Sequence, residues 1–140
     1  AILERRETKE AIMADRTVAG VFDLARRADA YLYSAGVDDS HSALIESGYL
    51  RGSDVAVLAS KGAVGDITGR YIDANGNIVD PALDARTLGV ELDALRDAER
   101  GIFVVSGEAK RDIARAVVVN GLCSILITDE GTARDLLENE

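Results

Sequence analysis

The chain is 140 residues long, the size of one ordinary domain, and 47% of it is hydrophobic against 29% charged. That balance describes a folded globular protein and excludes a disordered one. The net charge is −9, from 25 acidic and 16 basic residues; apart from Arg5-Arg6 and Arg26-Arg27 the cations are scattered, which excludes the clustered basic surface that nucleic acid requires.

A single Cys cannot form an internal disulfide, and no stretch approaches 18 consecutive apolar residues. The opening AILERRETKE is too charged for a signal peptide. A reducing cytoplasm is the expected compartment.

Residues 2–14 carry apolar positions at Ile2, Leu3, Ala11 and Ile12 among charges, a weakly amphipathic helix. Asp15 then precedes RTVAGVFDLARRA, where Val18, Val21, Phe22 and Ala25 recur at i, i+3, i+4 and i+7. This spacing predicts a helix over 16–28 capped by Asp15. AYLYSAG (30–36) reads as a strand ending in Gly36, with Tyr31 and Tyr33 packing on one face. His41, the one histidine, sits in the polar DDSHS loop and reads as a surface residue, although Ser40 and Ser42 beside it keep a catalytic role open. Asp38-Asp39 reads as a solvated loop.

SHSALIESGYL predicts a helix stopped near Gly48, and SDVAVLASKG another, with Ser53 as N-cap and Gly62 just past its end. In AVGDITGRYIDANGNIVD the pattern changes: Ile67, Tyr71 and Ile72 favour strand, and Asn75-Gly76 signals a tight turn. An antiparallel hairpin near 67–80 is expected, with arms at 67–73 and 77–80. TLGVEL reads as a further strand, DALRDAE as a short helix and GIFVV as a strand. A helix over 108–119 stops at Asn120-Gly121, SILIT is the next strand, and a last helix runs from Asp129 or Glu130 to about Leu137. Strands alternating with helices predict βαβ units and a parallel sheet, and their solid apolar character predicts a sheet covered on both faces.

In such sheets ligands bind beyond the carboxyl ends of the strands. Three strand ends carry candidate groups: SAG, ending in Gly36; SGEAK, at 106–110; and TDE, at 128–130. In SGEAK, Gly107 allows a tight turn and close backbone approach, the following helix offers free N–H groups and a positive dipole end, and Lys110 adds a full charge. The group suits a phosphate. Equally consistent with the residues is Ser106 capping the helix while Lys110 faces water, because Lys is usually exposed. Neither phosphate-loop fingerprint is present.

Asp66, in GDITGR, could accept hydrogen bonds from sugar hydroxyls or form an Asx-turn at the start of a strand. TDE reads as a cap for the last helix. Cys123 reads as a buried structural thiol. One His and one Cys give no metal-ligand spacing, so neither a metal nor a cofactor is expected.

Taken in order, LARRADAYLYSAG, GAVGDITGRYIDANG, RTLGVELDAL and VVSGEAKRDIARAVVVNGLCSILITDEGTARDLL resemble the effector-binding domain of SorC-type bacterial transcriptional regulators, grouped with DeoR-like regulators. The resemblance runs from about Met13 to Leu137. It implies a Rossmann-like three-layer α/β fold similar to sugar-phosphate isomerases and deaminases. It implies a domain that senses a sugar or sugar phosphate, supports homo-oligomers and controls DNA binding by a separate N-terminal helix-turn-helix domain. It carries a phosphate contact onto Lys110 and a hydroxyl contact onto Asp66, with Ser106-Gly107 where the family has Gly-Gly.

The helix-turn-helix and the family's first strand with its phosphate loop have no counterpart in this sequence. Residues 1–140 are therefore expected to be a single, partial effector domain. The expected ligand-binding residues are Lys110, Asp66, Gly107, Ser106 and Gly36, with no catalytic residue. The alternative is a sugar-phosphate isomerase or deaminase of the same superfold.

Overall fold

The computed structural model describes residues 1–37 and 43–138; the DDSHS loop with His41 lies outside the described residues. Two helices come first, α1 (Arg6–Ala14) and α2 (Arg16–Arg26). They break at Asp15, whose extended backbone ends one helix and whose carboxylate accepts from Thr17 N at 2.9 Å and Val18 N at 3.2 Å to begin the next. The capped helix read from the sequence is present.

The AYLYSAG run is not one strand. It divides at Ser34 into β1 (Tyr31–Tyr33) and β2 (Ala35–Gly36), which belong to different sheets. Next come α3 (Ala43–Glu46) and α4 (Gly52–Ser60), the latter followed by Gly62 at a φ of 87°. The hairpin is β3 (Ala63–Ile67) and β4 (Arg70–Asp73). After α5 (Pro81–Ala85) and α6 (Leu92–Arg96) comes β5 (Gly101–Val105). One 3-10 turn (Glu108–Lys110) leads into α7 (Arg111–Val119), then β6 (Ile125–Thr128) and α8 (Glu130–Glu138). A parallel sheet in the order β1-β5-β6 stands beside an antiparallel sheet in the order β2-β3-β4.

The core forms where these patterns meet. Along β5 the buried residues are Gly101, Phe103 and Val105, every second position. On α7 they are Ile113, Ala114, Ala116 and Val117, one helical stripe. Phe103 is fully buried and its ring lies 5.5 Å from that of Tyr33. A second cluster gathers Leu50, Leu58, Tyr71 and Leu83 around the other side of the hairpin.

Three expectations are corrected. The main hairpin turns at Thr68-Gly69, and the expected turn at Asn75-Gly76 follows it, leading a short leg back antiparallel along β4. Both turn residues have positive φ, 55° and 82°, and Ile67 pairs with Arg70 across them, a type I′ geometry. Asn75-Gly76 makes a separate turn held by Asp73 Oδ1, which accepts from Asn75 N and Asn77 N, each at 2.9 Å. The return leg pairs only through a bridge between Ile72 and Ile78.

TLGVEL is not a strand either. The buried Arg70 guanidinium, 1% exposed, donates to Val90 O at 2.8 Å and Gly89 O at 3.0 Å. Carbonyls that a neighbouring strand would need are thereby satisfied by a side chain. Asp84 at 2.5 Å and Glu91 at 2.9 Å neutralise the charge.

Finally, the parallel sheet is covered on one face only among the described residues. Leu32, Ile102 and Ile125 share one register row and Val104 and Ile127 the next. On that face Leu32 is 74% exposed and Ile127 53%.

The packing sets two stability expectations, both readable by urea unfolding. Phe103→Ala should lower stability by about 3–5 kcal/mol, the usual cost of emptying a ring-sized site. Gly20→Ala should raise it by about 0.5–1 kcal/mol, since Gly20 lies inside α2 with open space where the methyl would go.

Candidate ligand site at the strand ends

Because β1, β5 and β6 are parallel, their carboxyl ends lie along one edge. The last register pair of β5 and β6 is Val105 with Thr128. Ser106-Gly107 and Asp129 are therefore neighbours, and β1 leads at the same edge into Gly36.

Gly36 and Asp66 are brought together directly. They are register partners in the β2–β3 pair, and a Cβ on Gly36 would stand 2.2 Å from Asp66 Oδ1. The glycine therefore makes room for the carboxylate. Asp66 Oδ2 accepts from Gly69 N at 3.0 Å. This is the Asx-type contact weighed from the sequence, at the end of the strand instead of its start.

β3 also rests closely on α7. A Cβ on Gly65, which has a φ of 151°, would meet Gly36 O at 2.4 Å and the Ile113 side chain at 3.2 Å. Lys110 stands three residues before Ile113, at the start of that helix.

The start of α7 is electrostatically unusual. Lys110 and Arg111 place two cations at the positive end of the helix, where the dipole disfavours them. Among the described residues the Lys110 ammonium has no acid within ion-pair distance, and Arg111 has only Glu108 at 3.8 Å. The Arg111 Nε and the Thr128 hydroxyl are buried without a hydrogen-bond partner.

Ser106 does not cap the helix. The turn begins at Gly107 with no side-chain cap, and the Ser106 hydroxyl is exposed and unpartnered among the described residues. Gly107 adopts a φ of 98°, and its N–H donates to Asp129 Oδ2 at 2.9 Å. That amide is already engaged by an internal carboxylate, so an incoming anion would meet Lys110 instead.

Asp129 was legible as a helix cap, and Thr132 N does donate to its Oδ1 at 2.9 Å. Its reach to Gly107, 22 residues away, was not. The available signal was that both residues follow apolar strands, but strand order is not written in either segment. The Gly107 N–H, then the Thr132 N–H and hydroxyl, hold the Asp129 carboxyl well below the usual carboxylate range. Cys123 is partly buried, and burial pushes its thiol up, as suits a packing role. A cavity of about 260 Å³ lies elsewhere, lined by Arg70, Asp84, Glu91 and Arg96 among others, and includes none of the five candidate residues.

A parallel α/β sheet with glycine turns and a helix start at its strand ends is the arrangement of a domain of the Rossmann-like class. More narrowly, the chain belongs to the sugar-binding family described as "Putative sugar-binding domain", which matches residues 1–138. It is 33% identical to the deoxyribonucleoside regulator of Bacillus subtilis over 99% of this chain and 44% of that protein. It is 34% identical to the erythritol catabolism regulatory protein of Brucella abortus, over 94% of this chain and 41% of that one.

The full-length sorbitol operon regulator SorC of Klebsiella pneumoniae superposes with a TM-score of 0.86 at 25% identity, covering 98% of this chain and 44% of that one. The resemblance to SorC-type and DeoR-like regulators is borne out. The chain spans less than half the length of these relatives.

Two measurements follow from this geometry. Gly36→Ala should lower stability by about 1–3 kcal/mol, because the new methyl must displace the Asp66 carboxylate; urea unfolding reads the loss. Asp129 has a depressed folded-state pKa, so its contribution is present above the ordinary aspartate value of 3.8 and fades as pH falls below it. Acid unfolding of Asp129→Asn should accordingly be less steep below that value than acid unfolding of the parent chain.

Proposed function

We propose that this chain is the effector-sensing domain of a bacterial transcriptional regulator, a single and partial domain that binds a sugar or sugar phosphate. The single observation that supports the ligand assignment is Lys110, a cation at the start of α7 with no acid within ion-pair distance among the described residues. Lys110 supplies the charge for a phosphate, which a charge-assisted hydrogen bond would hold. Asp66 accepts from hydroxyls, while Gly36, Ser106 and Gly107 shape the turn around them.

The ligand acts by differential affinity. It binds one arrangement of a cytoplasmic homo-oligomer better than the other and so changes how a separate helix-turn-helix domain meets DNA. The acidic balance of these residues suits that division of labour, since DNA contacts would belong to the other domain. Binding without turnover is the expected behaviour. A general base needs a second acid or base placed with it, and one oxygen of Asp66 is already engaged by Gly69 N.

Titration with a panel of sugars and sugar phosphates tests the reading. Saturable binding without product supports a sensor, and turnover overturns it. Lys110→Ala should weaken a phosphorylated ligand about tenfold more than its unphosphorylated analogue, the worth of one charge-assisted contact. Equal loss for both would remove the phosphate assignment. Asp66→Asn should weaken both alike while leaving the thermal midpoint nearly unchanged.

A further inference from the structure

Gly107 has little of its own to fix it. It carries no side chain, its φ is 98°, and nothing lies within 4 Å of where a Cβ would stand. Yet its carbonyl accepts from Lys110 N at 3.0 Å, so the conformation at Gly107 sets where Lys110 stands. The one side chain that reaches Gly107 N–H is Asp129, from the next strand of the sheet.

Asp129 is itself firmly seated. Its Oδ1 accepts from Thr132 N at 2.9 Å, and its Oδ2 accepts from the Thr132 hydroxyl at 2.7 Å and from Gly107 N at 2.9 Å. Thr132 is fully buried, so the anchored side of this bridge does not move with solvent. Capping α8 would require only the bond to Oδ1. The second oxygen does something more: it ties the end of β5 to the start of α8. A continuous line of hydrogen bonds then runs from Thr132 through Asp129 and Gly107 to Lys110.

We propose that Asp129 is a positioning residue for the ligand turn, holding Ser106–Lys110 through the Gly107 N–H so that Lys110 stands ready for an anion. This role rests on the ligand reading given above. A ligand anion meets a turn whose ordering has already been accomplished within the protein, and binding loses less free energy for that reason.

The opposite role would be an internal anion that occupies the turn and yields to the ligand. The two differ in sign. A positioning carboxylate strengthens anion binding; an occupying one weakens it.

The test uses the 140-residue chain labelled with nitrogen-15, inorganic phosphate as the probe, and two readouts: the phosphate-induced shift of the Lys110 amide and hydrogen exchange at the Gly107 amide. Asp129→Asn should weaken phosphate about tenfold and speed Gly107 exchange by about tenfold or more, the loss of one charge-assisted bond. Thr132→Ser, which keeps the hydroxyl, should preserve both values. Thr132→Val should move both in the same direction by a smaller factor, and it replaces Asp129→Asn should that variant not fold.

Unchanged affinity and exchange in a folded Asp129→Asn would reduce the residue to a helix cap. Tighter phosphate binding in that variant would establish the occupying role and overturn the proposal. If phosphate leaves the Lys110 amide of the parent chain unmoved, the ligand reading fails and the positioning role fails with it. That outcome is distinct from binding that ignores Asp129.

Discussion

The backbones of Gly36 and Gly65 meet the Ile113 side chain, and the arrangement of the molecule depends on that contact. A Cβ at Gly65 would stand 2.4 Å from Gly36 O, and one at Gly36 would stand 2.2 Å from Asp66 Oδ1. Neither separation is open to a residue with a side chain unless its neighbours shift. The glycines let β2 and β3 pair while β3 rests on α7. The antiparallel hairpin is thereby seated on the helix that also covers the parallel sheet.

Charge is handled in two contrasting ways. Arg70 is buried, and two backbone carbonyls and two carboxylates surround it, so it locks the segment after α5 against the hairpin. Such a pair is costly to break and contributes mainly by fixing one arrangement. Lys110 and Arg111 are the reverse: cations at the wrong end of a helix, with weak or no acidic partners among the described residues. The first arrangement is structural because the charge is matched by acids and carbonyls within the fold. The second is a functional candidate because the charge is not.

Much of this was legible locally. The Asp15 cap, the GIFVV and SILIT strands and the helix stop at Asn120-Gly121 all follow from short-range rules, and they appear where the residues placed them. Several readings were overturned by tertiary context. TLGVEL has the composition of a strand, but Arg70 takes its carbonyls. Asn75-Gly76 does turn the chain, but the longer pairing is closed by Thr68-Gly69, with Asp66 accepting from Gly69. AYLYSAG looks continuous, but its two halves pair with strands in different sheets. Solid apolar strands predicted cover on both faces, while one face, with Leu32 and Ile127, stands open among the described residues.

By itself, then, the sequence determined the alternating α/β class, most of its helices and parallel strands, and the residue types able to hold a sugar phosphate, because each depends on neighbours within a few positions. It also placed the candidates at strand ends, since strand polarity follows chain order. Only the tertiary structure decided which of them meet. The pairing of Gly36 with Asp66, the contact of Gly65 with Ile113, and the reach of Asp129 to Gly107 each join segments 22 or more residues apart. Contacts of that span are set by how sheets and helices pack, and no local pattern in either segment records them.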